Sequence, residues 1–110
     1  MTTNDLILKY LDIWNERDAV AREALMRSVL TEDSFYSDPD NAGLHGHAEL
    51  SQAIGKAQPS FGDLRFTLDT VISTHHDRAL FLWRLGTVAT GYDVVEFTGD
   101  RISSIIGFFV

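Results

Sequence analysis

Near the start of the chain, apolar side chains recur at spacings of three and four: Leu6, Ile7, Tyr10, Leu11, Ile13 and Trp14 within residues 4–17. That period wraps them onto one broad face, so the pattern predicts an amphipathic helix turned toward a core. Asn15-Glu16-Arg17-Asp18 breaks the period. Asp18 is placed to cap a second helix whose inward positions are Ala21, Ala24, Leu25, Ser28 and Val29. Thr31-Glu32-Asp33 is expected to end it, and residues 34–38 read as a short strand stopped by Pro39. Alternation then places Tyr36 and Asp38 on one face of that strand, Phe35 and Ser37 on the other. Residues 40–46 are expected to form a loop, and residues 46–57 a third helix burying Leu50, Ala53, Ile54 and Ala57.

Past a turn at residues 59–63 the period becomes alternating. Leu64, Phe66 and Leu68 alternate with Arg65, Thr67 and Asp69; Ala79, Phe81, Trp83 and Leu85 alternate with Leu80, Leu82 and Arg84. Two further strands, residues 92–97 and 102–109, flank the tight turn Thr98-Gly99-Asp100-Arg101. The expectation is an α+β domain spanning residues 1–110, with three helices packed on a four-stranded antiparallel meander. Because residues 79–85 are apolar on both faces, the second face also needs a cover, most simply another copy of the chain packed sheet against sheet in a homodimer.

Composition narrows the chemistry. The 110 residues contain no cysteine, which excludes disulfides, thiolate metal sites and thiol nucleophiles. Nine basic against sixteen acidic residues give a formal charge of −7, the wrong sign for a nucleic-acid partner. No basic leader and no apolar run long enough for a bilayer stands out, so no membrane partner is expected and a cytoplasmic location fits. Glycines 43, 46, 55 and 62 are scattered and form no phosphate loop or dinucleotide fingerprint, so no cofactor is expected. His45-Gly46-His47 and His75-His76-Asp77 lack the helical spacing of zinc motifs, and no metal is expected there. Arg84 either pairs with an acid or enters a cavity to hold an anion.

Three further residues stand out: Tyr10 on the first helix, Asp38 before Pro39, and Asp93 within Gly91-Tyr92-Asp93-Val94-Val95-Glu96-Phe97. With the helix motif Tyr10-Leu11-Asp12-Ile13-Trp14-Asn15, the run from Thr31 through Pro39 and the closing Gly99-Asp100-Arg101-Ile102, the order of motifs resembles the nuclear transport factor 2-like (NTF2-like) superfamily over nearly the whole chain. That resemblance implies a cone of three helices on a curved antiparallel sheet. Within the superfamily, the positions of Tyr10, Asp38 and Asp93 resemble the ketosteroid isomerase pattern. Carried over, the resemblance makes Asp38 the general base beside a carbonyl, with Tyr10 and a protonated Asp93 as donors to the developing oxyanion. Trp14, Tyr36, Trp83, Val95 and Phe97 would contact the substrate. SnoaL-like polyketide cyclases, whose acid/base aspartate lies on a late strand, resemble Asp93 as well and leave Asp38 without a role. Structural readings stand beside these: Asp38 as a turn-former, Tyr10 as core packing, and the whole chain as a non-catalytic pocket for a small ligand.

Overall fold

A computed structural model describes residues 2–110. Helix α1, Thr3–Asn15, begins at a capping box in which Thr2 and Asp5 satisfy each other's backbone N–H groups. Helix α2, Ala19–Val29, is capped by Asp18, whose carboxylate accepts from the Ala21 N–H at 2.8 Å. Strand β1, Leu30–Asp38, follows without a loop; β2 is Asn41–His45 and α3 is Gly46–Ala57. A 3₁₀ turn, Gln58–Phe61, leads to β3, Phe66–His75; β4, Arg78–Leu85; β5, Ala89–Thr98; and β6, Arg101–Phe109.

The six strands form one curved sheet in the order β2-β1-β6-β5-β4-β3, antiparallel throughout except where β1 runs parallel to β6. The three helices pack on its inner face, an α+β cone as expected. Leu6, Ile7, Tyr10 and Ile13 of α1 and Met26 and Val29 of α2 meet Ile54, Phe81, Val95, Ile102 and Ile105 in one contiguous core.

Several expectations are corrected. The segment taken for a loop contains β2, hairpinned to β1 through the Asp38–Asn41 pair. Thr31, Glu32 and Asp33 lie inside β1 instead of ending a helix, so the sheet has six strands, not four, and is mixed. Strand β3 starts at Phe66, leaving Leu64 outside, and runs on to His75. In α2 the buried positions are Arg22, Met26 and Val29, while Ala24 and Ser28 face outward. Arg22 can be inside because every acceptor it needs is there: Ser51 Oγ at 3.0 Å, Glu16 O at 2.8 Å, Gln58 Oε1 at 3.2 Å and Ser51 O at 3.3 Å.

Candidate active site

Where helices and sheet diverge they leave a cavity of about 460 Å³. Strand register places two carboxylates at its wall. Ser37 pairs with Ile106 and Asp93 with Gly107, so Asp38, Gly107 and Asp93 stand abreast across β1, β6 and β5. Gly107 is required by this approach: a Cβ there would lie 2.8 Å from Oδ1 of Asp93 and 3.6 Å from Cβ of Asp38.

Asp38 is fixed by its own turn. Its Oδ1 accepts from the backbone N–H groups of Asp40 and Asn41, each at 2.8 Å, and from the Asn41 side-chain amide at 3.1 Å. The Tyr36 hydroxyl donates to Oδ2. A carboxylate offers about four lone-pair sites, so Oδ1 does the turn-forming work while Oδ2 keeps one site open. The structural and chemical readings of Asp38 thus fall on different oxygens of one group.

Asp93 is held differently. Only 5% of it is exposed, and one hydrogen bond reaches it among the described residues, from Trp83 Nε1 to Oδ1 at 3.1 Å. Burial drives its carboxyl up to about 7, against the pull of the Trp83 hydrogen bond and with a further push from the Asp38 charge. Trp83 can reach it because Gly91 leaves the indole its seat: a Cβ at 91 would come within 2.1 Å of the ring. Oδ2 of Asp93 has no partner among the described residues.

Tyr10 is 1% exposed and lines the same cavity. Its hydroxyl accepts from Trp14 Nε1 at 2.9 Å, and its hydrogen has no acceptor among the described residues. Burial, then the neighbouring Asp93, push this phenol well above its usual range, so it stays a donor. Burial and the nearby Tyr10 likewise raise Tyr36.

Tyr10, Asp38 and Asp93 are therefore brought together on one cavity, with Trp14, Tyr36 and Trp83 also in its wall. Val95 and Phe97 are not. Val95 is fully buried in the core under the helices, and Phe97, displaced by an irregularity in the β5–β6 pairing, borders a separate shallow depression beside His75 and His76. In their place stand Phe61 and Phe66: ring centroids run 5.6 Å from Tyr36 to Trp14, 5.7 Å from Trp14 to Phe66 and 5.3 Å from Phe66 to Trp83. Phe61, Asn41, Lys56 and Gly107 also escaped the sequence reading. Two had a signal, a glycine in an apolar strand and an Asp-Pro-Asp-Asn turn.

No histidine lines this cavity. His47 turns Nε2 onto the carbonyls of Leu30 and Thr31, His45 stacks near Phe35, and His75 and His76 face each other in the exposed β3–β4 turn. Among the described residues no three His, Asp or Glu side chains are grouped to hold a metal ion. Arg84 pairs with Asp69 on the outer face of the sheet, away from the site. None of the described helices is long and apolar enough to cross a membrane.

The family model of the SnoaL-like domain matches residues 7–105. The chain belongs to the SnoaL-like family. Among solved structures, a SnoaL-like protein from Agrobacterium tumefaciens whose name proposes an isomerase shares 31% identity, with a TM-score of 0.86 over 96% of this chain and 95% of that one. A Kribbella flavida protein whose name proposes a ketosteroid isomerase is similar at 21% identity, TM-score 0.70, over 96% and 76% of the two chains. A Jannaschia protein whose name proposes a SnoaL-like polyketide cyclase is similar at 10% identity, TM-score 0.74, over 96% and 85%. The last two show the fold alone. No protein of curated function matches the sequence. In this SnoaL-like domain Tyr10, Asp38 and Asp93 meet at the divergent end of the cone.

Proposed function

We propose that this SnoaL-like chain is a cofactor-independent acid/base enzyme that isomerises a small carbonyl compound with a largely apolar body through its enolate. One observation carries the reading: a buried carboxyl with its pKa near 7 and an uncommitted phenol hydrogen face one apolar cavity, beside a second carboxylate with an open acceptor site. In this reading Asp38 Oδ2 takes the proton α to the carbonyl and returns it to another carbon of the enolate. Tyr10 and protonated Asp93 donate to the oxygen on which the charge develops. The aromatic wall lowers the local polarity, which strengthens both donors. The kinship to a SnoaL-like protein whose name proposes an isomerase supports the same class.

The test is α-deuterium incorporation from D₂O into a panel of cyclic ketones, followed by NMR for wild type and two variants. Asp38→Asn is expected to lower exchange by about 10²–10⁴-fold. Asp93→Asn keeps an acceptor for Trp83 and an N–H₂ donor toward the cavity, and is expected to lose no more than about tenfold. The reverse ranking would move proton transfer to Asp93, as the polyketide cyclase pattern implies. Wild type exchanging no ketone above the buffer rate would overturn the acid/base reading.

We propose further that two copies pair through the outer face of the sheet. Leu80, Leu82, Tyr92, Val94, Ile106 and Phe108 are adjacent there by register, and Ile106 and Phe108 are exposed.

A further inference from the structure

The cavity is asymmetric in charge. Two buried carboxylates, Asp38 and Asp93, and the exposed Asp40 share its wall with one cation, Lys56. Helix α3 and the 3₁₀ turn after it present Ala53, Lys56, Ala57 and Ser60 to the cavity, a stripe at helical spacing. Lys56 lies in the last turn of α3 and is exposed, whereas Asp93 and Asp38 are enclosed.

Lys56 is also uncommitted. The ion pairs among the described residues use Arg78, Arg84 and Arg101, although the chain has sixteen acidic residues to offer. Two other polar groups of the wall are spent internally: the Ser60 hydroxyl donates to Ala57 O at 2.6 Å, and the Asn41 amide to Asp38. A ligand group meeting Lys56 therefore meets a cation with all three donors free.

We infer that the substrate is a ring-bearing ketone carrying one carboxylate on the side remote from its carbonyl, and that Lys56 selects it. This rests on the acid/base reading of the same site. The orientation follows from charge: a carboxylate carried inward would stand against Asp38 in an apolar pocket, where an uncompensated anion is costly. Carried outward, it meets Lys56 and keeps part of its hydration. The carbonyl end is then delivered to Tyr10 and Asp93. On a chain of net charge −7, Lys56 also gives an approaching anion one attractive point, at the entrance to the site.

Two probes test this by calorimetry: 2-naphthol, a neutral enolate mimic, and 6-hydroxy-2-naphthoate, the same ring with a remote carboxylate. The quantity read is the ratio of their dissociation constants, so each protein serves as its own reference. Wild type is expected to favour the carboxylate by about fivefold, the range of a partly exposed ion pair. Lys56→Gln should bring the ratio to about one, and Lys56→Arg should keep it. A ratio near one in wild type, or one that survives Lys56→Gln, overturns the inference while leaving the acid/base reading standing. Failure of wild type to bind either probe overturns both.

Discussion

At the scale of single residues, the informative contrast is between two aspartates that face one cavity under different constraints. Asp38 accepts four hydrogen bonds and Asp93 one, so one carboxyl is pinned by its turn while the other is buried with a free oxygen. For Asp93 this has a measurable sign. Its pKa rises from 3.8 to about 7 on folding, so between those values the folded state binds more protons than the unfolded one. Its contribution to stability is fully present below pH 3.8 and is lost as pH climbs toward about 7, at up to roughly 1.4 kcal/mol per pH unit. Urea denaturation of wild type against Asp93→Asn from pH 4 to 8 reads this directly. The variant, which has nothing to ionise at 93, should lose that slope, and parallel curves would remove the buried-acid role.

At the scale of elements, the cavity wall is held by polar bolts. Arg22 of α2 binds the carbonyl of Glu16 just beyond α1, Ser51 of α3 and Gln58 of the 3₁₀ turn, while Gln58 Nε2 donates to the carbonyls of Trp14 and Glu16. Asn15 pairs with both backbone groups of Phe66, at 2.7 and 2.9 Å, and so ties the end of α1 to the start of β3. Each bolt positions an aromatic wall residue: Trp14, Phe61 or Phe66. Replacing Arg22 with Met keeps much of the volume but orphans buried acceptors, and should cost about 2–3 kcal/mol. A urea midpoint unchanged from wild type would show that the bolt carries no load.

Which of these elements can be read from sequence depends on whether packing keeps the local period. Helix α1 was legible to within two residues at its C-terminus because its six apolar positions all point one way into the core. Strand β2 was not: it is a short edge strand, half exposed, with Ala42 and Gly43 giving no alternation. The length of β3 was hidden by two bulges, which put Leu68, Val71 and Thr74 opposite Trp83, Phe81 and Ala79 and so stretch a period of two to three. Helix α2 misled because a buried arginine reads as a surface residue. At the site, Tyr10, Asp38 and Asp93 came from the order of motifs, whereas Phe61, Phe66 and Lys56 reach the cavity only through tertiary packing.

At the scale of the whole molecule, the sheet has two apolar faces and helices for only one. The outer patch centred on Ile106 is bordered by the ion pairs Arg78–Glu96 and Arg84–Asp69, an apolar centre with a charged rim that is compatible with pairing of two identical faces. Sedimentation at micromolar concentration should give the mass of two chains for wild type. Ile106→Asp, which puts a charge at the centre of the patch, should give one chain with unchanged circular dichroism. A wild-type monomer would leave the outer face without this role.

The place of β6 has a further consequence. It is made after every other element yet lies between β1 and β5, and its parallel union with β1 joins residues some seventy positions apart in sequence, such as Leu30 and Ile102. During synthesis the first hairpin and the helices therefore leave the ribosome before the strand that joins them to β5, with Asp38 on one bank of an open seam and Asp93 on the other. Such long-range closure is slow and exposes unpaired strand edges meanwhile. Neither half of the chain has the Asp38–Gly107–Asp93 row by itself. The row is completed in one step, with the insertion of β6.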